Sequence, residues 1–106
     1  MKVADPSIFV GGLTTVGRRS GLQRTVELRL IRLSGKFYAT SSNVERKHWC
    51  RNMSANPAVS VTAGGERFAC RARRVDDEEL RRRVLKLRDT PPLLERVVFE
   101  LAPLES

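Results

Sequence analysis

Three glycine-bearing turns cut this chain into short segments of alternating character. They are Gly17-Arg18-Arg19-Ser20-Gly21, Ser34-Gly35 and Gly64-Gly65. Between them the pattern has a period of two: Val26, Leu28 and Leu30 share one face while Glu27 and Arg29 take the other. Phe68, Cys70 and Ala72 likewise alternate with Arg67, Arg71 and Arg73. A period of two places every second side chain on the same face of a half-buried strand. On this basis strands are expected over 8–16, 25–33, 36–42, 58–63, 66–75 and 96–103, with a bulge at Gly11-Gly12. Two stretches carry the helical period instead. Residues 43–55 start at Ser42 or Asn43, place Trp49 and Met53 at i, i+4, and stop at Asn56-Pro57. Residues 76–87 are capped by Asp76 and bury Leu80, Val84 and Leu87. Three strands, a helix, two strands, a helix and a strand predict a mainly β (α+β) fold: a six-stranded antiparallel barrel with two short helices. The 106 residues are expected to form one domain.

The first turn is also the chain's densest candidate site. Two glycines bracket two arginines and a serine, and glycine lets successive amides converge on one point as an anion-binding nest. Arg18, Arg19 and Arg24 add planar, permanently charged forks suited to phosphate or carboxylate. The alternative is a solvated hairpin whose arginines serve solubility. The net charge of +8 is concentrated here: residues 17–51 hold nine Lys/Arg against Glu27 and Glu45. Such a field draws an anionic partner, whether nucleic acid, an acidic cofactor or an acidic protein. Nucleic acid is not expected, because most of the six aromatic residues fall at core positions rather than among the arginines.

Other chemistry is sparse. His48, the one histidine, sits between Lys47 and Trp49 and reads as an exposed residue. Cys50 and Cys70 have no histidine ligands nearby, so no metal site is expected and both thiols read as reduced packing residues. Glu78 and Glu79 read as a solvated helix start rather than an acid/base couple. No apolar run approaches the roughly 20 residues of a membrane span, and the first six residues lack a signal-peptide block. A cytoplasmic protein without a membrane span is the expectation.

Two motifs together carry a family resemblance. Leu13-Thr14-Thr15-Val16-Gly17-Arg18-Arg19-Ser20-Gly21 with Arg24-Thr25-Val26, followed by Ser42-Asn43, Trp49…Asn52 and Ala55-Asn56-Pro57-Ala58-Val59, resembles the deazaflavin-dependent nitroreductase family. The similarity runs from about residue 9 to residue 104. It implies a split β-barrel related to pyridoxamine-phosphate oxidases, and coenzyme F-420, an 8-hydroxy-5-deazaflavin whose tail carries a phosphodiester and several glutamates. FMN is the alternative cofactor. By motif match, Gly17, Arg18, Arg19, Ser20, Gly21 and Arg24 would hold the phosphate region. Thr40, Ser41, Ser42 and Asn43 would lie along the deazaflavin ring, with Trp49 flanking the pocket. The implied activity is hydride transfer between the reduced coenzyme and a small acceptor such as a quinone or nitro compound. No particular side chain is singled out as catalytic. A non-catalytic module that binds a cofactor or lipid is the competing reading. Split barrels often pair around their cofactor, so a homodimer is expected.

Overall fold

The computed structural model describes residues 3–104. Six strands and two helices follow in the expected order: β1 (Ser7–Val16), β2 (Gln23–Leu33), β3 (Lys36–Ser41), α1 (His48–Ala55), β4 (Ala58–Ala63), β5 (Glu66–Arg74), α2 (Glu78–Arg88) and β6 (Val97–Pro103). The strands close into a barrel in the order β1-β2-β3-β6-β5-β4, every described pairing antiparallel. The barrel closes through the β1–β4 pairing, where Gly12–Thr14 meet Ser60–Thr62.

Three local expectations need correction. No bulge occurs at Gly11-Gly12, because β1 and β2 pair without interruption from Ser7–Arg32 to Val16–Gln23. The glycine serves close approach instead: a Cβ on Gly11 would lie 2.7 Å from the Thr62 carbonyl oxygen of neighbouring β4. Helix α1 begins at His48 rather than near Asn43. Asn43 Oδ1 accepts the Arg46 amide at 3.2 Å, and this local turn competes with helix at 44–46. The cap of α2 is Asp77, not Asp76, its carboxylate accepting the Glu79 amide at 3.0 Å.

Strand alternation builds two cores from one sheet. Inward positions Leu13, Leu30, Phe37, Ala39, Val61, Cys70, Phe99 and Leu101 fill the barrel, and α1 closes one mouth with Trp49, Cys50 and Met53. Outward positions Ile31, Leu33, Tyr38 and Val98 meet Val75 and the α2 residues Val84 and Leu85 in a second core outside the barrel. Each buried aliphatic side chain there contributes about 1.5–3 kcal/mol, which is what fixes α2 to the wall. Cys50 and Cys70 are free thiols buried in the barrel. Burial pushes the Cys70 thiol up to about 11, so it is an unreactive packing group.

One charged side chain is buried in this wall. Glu100 on β6 is only 3% exposed. Arg73 Nε and Nη2 donate to its two carboxylate oxygens at 2.9 and 3.0 Å. Tyr38 donates at 3.3 Å, and Lys36 Nζ lies 3.5 Å away. Burial alone would raise the Glu100 pKa, but the Arg73 hydrogen bonds and charge, followed by Lys36 and Tyr38, hold it below the ordinary carboxylate value. Burial and then the Glu100 charge push Tyr38 up to about 12.

Candidate functional site

The barrel is split on one side. Strands β2 and β3 pair only over Ile31–Leu33 with Lys36–Tyr38, so residues 23–30 of β2 have no partner on β3. On its other side β3 pairs with β6 from Phe37 to Ser41, so beyond Tyr38 it is bonded to β6 alone. The opening lies at the mouth covered by α1. Beside it a groove of about 530 Å³ is lined by Gly17, Arg18, Arg19, Ser20, Arg24, Val26, His48 and Asn52. That volume is in the range of small-molecule and cofactor sites.

The β1–β2 turn forms the rim of this groove and is held rigidly. The Gly17 amide donates to the Leu22 carbonyl at 2.8 Å and the Gly21 amide to the Gly17 carbonyl at 2.9 Å. Ser20 Oγ accepts the Leu22 amide at 3.2 Å. A Cβ on Gly17 would stand 2.6 Å from that oxygen, so any side chain there would displace Ser20 from the turn. Gly21 takes a φ of 71°, the left-handed region.

Asn52 ties the turn to α1. Only 4% exposed, its Oδ1 accepts the Arg18 amide at 3.3 Å and Arg18 Nη1 at 2.9 Å. Its Nδ2 donates to Thr15 Oγ1 at 3.2 Å. A single buried amide thus fixes both the backbone and the guanidinium of Arg18, and removes that guanidinium's freedom before any ligand arrives. Trp49 and Met53 direct α1 into the core, which leaves His48 and Asn52, one turn apart, on the groove side.

The charge is uncompensated. Among the described residues no carboxylate pairs with Arg18, Arg19, Arg24 or Arg51. Partial burial, then the positive charges of Arg51 and Arg19, lower the Arg18 pKa from its ordinary value. Crowding of like charge is relieved by an anion, so the groove favours a phosphate or carboxylate over a neutral ligand.

Of the residues expected from sequence, Gly17, Arg18, Arg19, Ser20 and Arg24 come together in this groove, with Gly21 closing its turn. Thr40, Ser41, Ser42, Asn43 and Trp49 do not line it. Ser41 is buried beside Cys50 and accepts the Asn43 amide at 3.2 Å. Thr40 takes the opposite face of the strand, where its buried hydroxyl oxygen has no hydrogen-bond partner among the described residues. Ser42 and Asn43 are exposed beyond the strand. Trp49 is a core residue, its ring edge-on to Phe99 at 6.2 Å. Sequence reasoning missed His48, Asn52 and Val26 as groove residues. The signal for the first two was available: Trp49 and Met53 mark the core face of α1, and His48 and Asn52 share its neighbouring face.

The model of the F-420H(2)-dependent quinone reductase family matches residues 6–93. Among solved structures, an F-420-H2 dependent reductase (FDR-A) is 31% identical, with a TM-score of 0.72 over 94% of this chain and 99% of that one. A structure described as a domain-swapped dimer is 32% identical, with a TM-score of 0.70 over 95% of this chain and 84% of the other. A protein from Listeria innocua described as a pyridoxamine 5'-phosphate oxidase shares the fold, with a TM-score of 0.74 at 17% identity over 91% of this chain and 84% of that chain. No curated protein sequence matches. The corner motif, the split barrel and these likenesses agree: the chain belongs to the F-420H(2)-dependent quinone reductase family, and is an F-420-dependent oxidoreductase.

Proposed function

We propose that the β1–β2 turn holds the phosphate-bearing end of coenzyme F-420 and that the adjoining split orients the coenzyme for hydride transfer to a quinone. One observation carries this reading: Arg18, Arg19 and Arg24 converge on a turn clamped by Asn52, with no acid among the described residues to satisfy them. The donor set fits the group. Guanidinium forks and the Ser20 hydroxyl match phosphodiester oxygens, and the half-buried Val26 offers an apolar wall to a flat ring.

When bound, the reduced coenzyme supplies a hydride from C5 of its deazaflavin ring. The chain's own part is positioning and charge. Arg19 and Arg24 neutralise the anionic end, and Arg18, held by Asn52, donates in a fixed direction. His48 stands exposed on the groove's α1 side, where its imidazole can donate a proton or a hydrogen bond to an acceptor oxygen gaining charge. The chain is further proposed to work as a single-domain cytoplasmic protein and a homodimer. Its two unpaired thiols suit a reducing compartment, and a related structure is described as a domain-swapped dimer. Among the described residues no helix is long and apolar enough to cross a membrane.

Purified protein mixed with reduced F-420 and a menaquinone analogue is expected to consume the coenzyme. Replacement of F-420 by FMN is expected to abolish consumption. Binding of F-420 without turnover on any quinone or nitroaromatic acceptor would instead support a carrier, and preferential binding of FMN would overturn the cofactor assignment.

A further inference from the structure

We propose that a second groove at the same mouth of the barrel, on the other flank of α1, binds a small amphipathic organic anion: a flat apolar body bearing a carboxylate. The site is independent of the cofactor groove and of the function assigned to it. It occupies about 340 Å³ where α1 meets the β5–β6 edge. Its floor is apolar, made by Met53, Pro57, Ala72 and Phe99. Its rim is basic, made by Arg71, Arg73 and Arg74, with Ser54 beside them.

Three observations point to a ligand of this class. Arg71 and Arg74 are exposed and pair with no carboxylate among the described residues, although Arg74 also borders a groove containing Asp76 and Glu78. The third arginine of this strand, Arg73, is taken by Glu100 in a bidentate pair, which fixes the strand that carries the two free ones. The floor is already organised, because Phe99 is packed by the Trp49 ring and lies opposite Arg74 in the β5–β6 ladder. An aromatic carboxylate would cover the apolar floor while its charge meets a guanidinium at the rim, and neither half alone would bind well. The two grooves share no lining residue. Asn52 faces one and Met53 the other, and adjacent residues on a helix diverge by about 100°.

The test is a calorimetric titration of the intact protein with naphthalene-2-carboxylate and with neutral naphthalene-2-methanol, the Trp49 indole N–H resonance serving as local reporter. Saturable binding of the carboxylate that shifts the Trp49 signal is expected, with the alcohol bound about tenfold more weakly. The double variant Arg71→Glu/Arg74→Glu is expected to lose at least about tenfold in carboxylate affinity, and the milder Arg71→Gln/Arg74→Gln pair to lose less. Arg19→Glu/Arg24→Glu is expected to leave that affinity within about twofold. Equal binding of acid and alcohol, loss only in the Arg19/Arg24 variant, or no saturable binding would each overturn the proposal.

Discussion

Two basic clusters lie on this small barrel, and they are used in opposite ways. On the outer wall, Arg73 and Lys36 converge on one buried carboxylate, Glu100, which Tyr38 also contacts. At the β1–β2 turn, Arg18, Arg19 and Arg24 converge on a groove with no carboxylate within ion-pair distance among the described residues. The first cluster completes its charge pairing within the chain and contributes to stability. The second is held in place by a neutral amide, Asn52, and its charge pairing is left to a ligand. The difference teaches that residue type does not separate structural from functional arginines. The presence of an internal acid does.

The largest expected effect of breaking this contrast lies on the structural side. Glu100→Ala leaves Arg73 facing a wall with no anion. A broken buried pair costs about 3–5 kcal/mol, but the Arg73 side chain is 53% exposed, so about 2 kcal/mol of unfolding free energy is expected by urea titration. Coenzyme affinity should not change. The same variant should flatten the acid limb of stability. Because the folded pKa of Glu100 is depressed, its contribution is complete above the unfolded value of about 4.3 and is lost as pH falls through the folded value.

Asn52→Ala should bridge both behaviours. It removes the acceptor for Arg18 and the donor to Thr15, with an expected loss of about 1–2 kcal/mol in stability and about tenfold in coenzyme affinity. A stability loss with unchanged affinity would show that the clamp does not organise the groove. Gly17→Ala is the smallest and sharpest change. Its new methyl meets Ser20 Oγ at 2.6 Å and should cost about 1 kcal/mol, partly recovered when Ser20→Ala is added.

The barrel was legible because period-two alternation and glycine turns act locally. Val26, Leu28 and Leu30 declare a strand whatever lies across from them, and Gly64-Gly65 declares a hairpin between β4 and β5. The details that failed were non-local or competitive. Gly11 reads as a bulge until β4 is seen to press Thr62 against it. Asn43 reads as a helix cap until its side chain closes a turn with Arg46 instead. The basic half of the site was visible as a run of glycine and arginine. Its α1 half was legible only as the helix face beside Trp49 and Met53, and the role of Asn52 emerges when the fold brings it, 34 residues further along the chain, against Arg18. The outer core was missed for the same reason: Tyr38 and Glu100 meet across 62 residues.

The central claim is that the charge at the β1–β2 turn is reserved for the anionic end of the coenzyme. Titration of Arg19→Glu/Arg24→Glu with F-420, followed by fluorescence beside wild type and Glu100→Ala, tests it most directly. Each charge-assisted contact is worth about 1.5–3 kcal/mol, so affinity should fall at least about a hundredfold in the double variant while its thermal midpoint holds. Coenzyme affinity unchanged in that variant, or lowered equally by Glu100→Ala, would contradict the account.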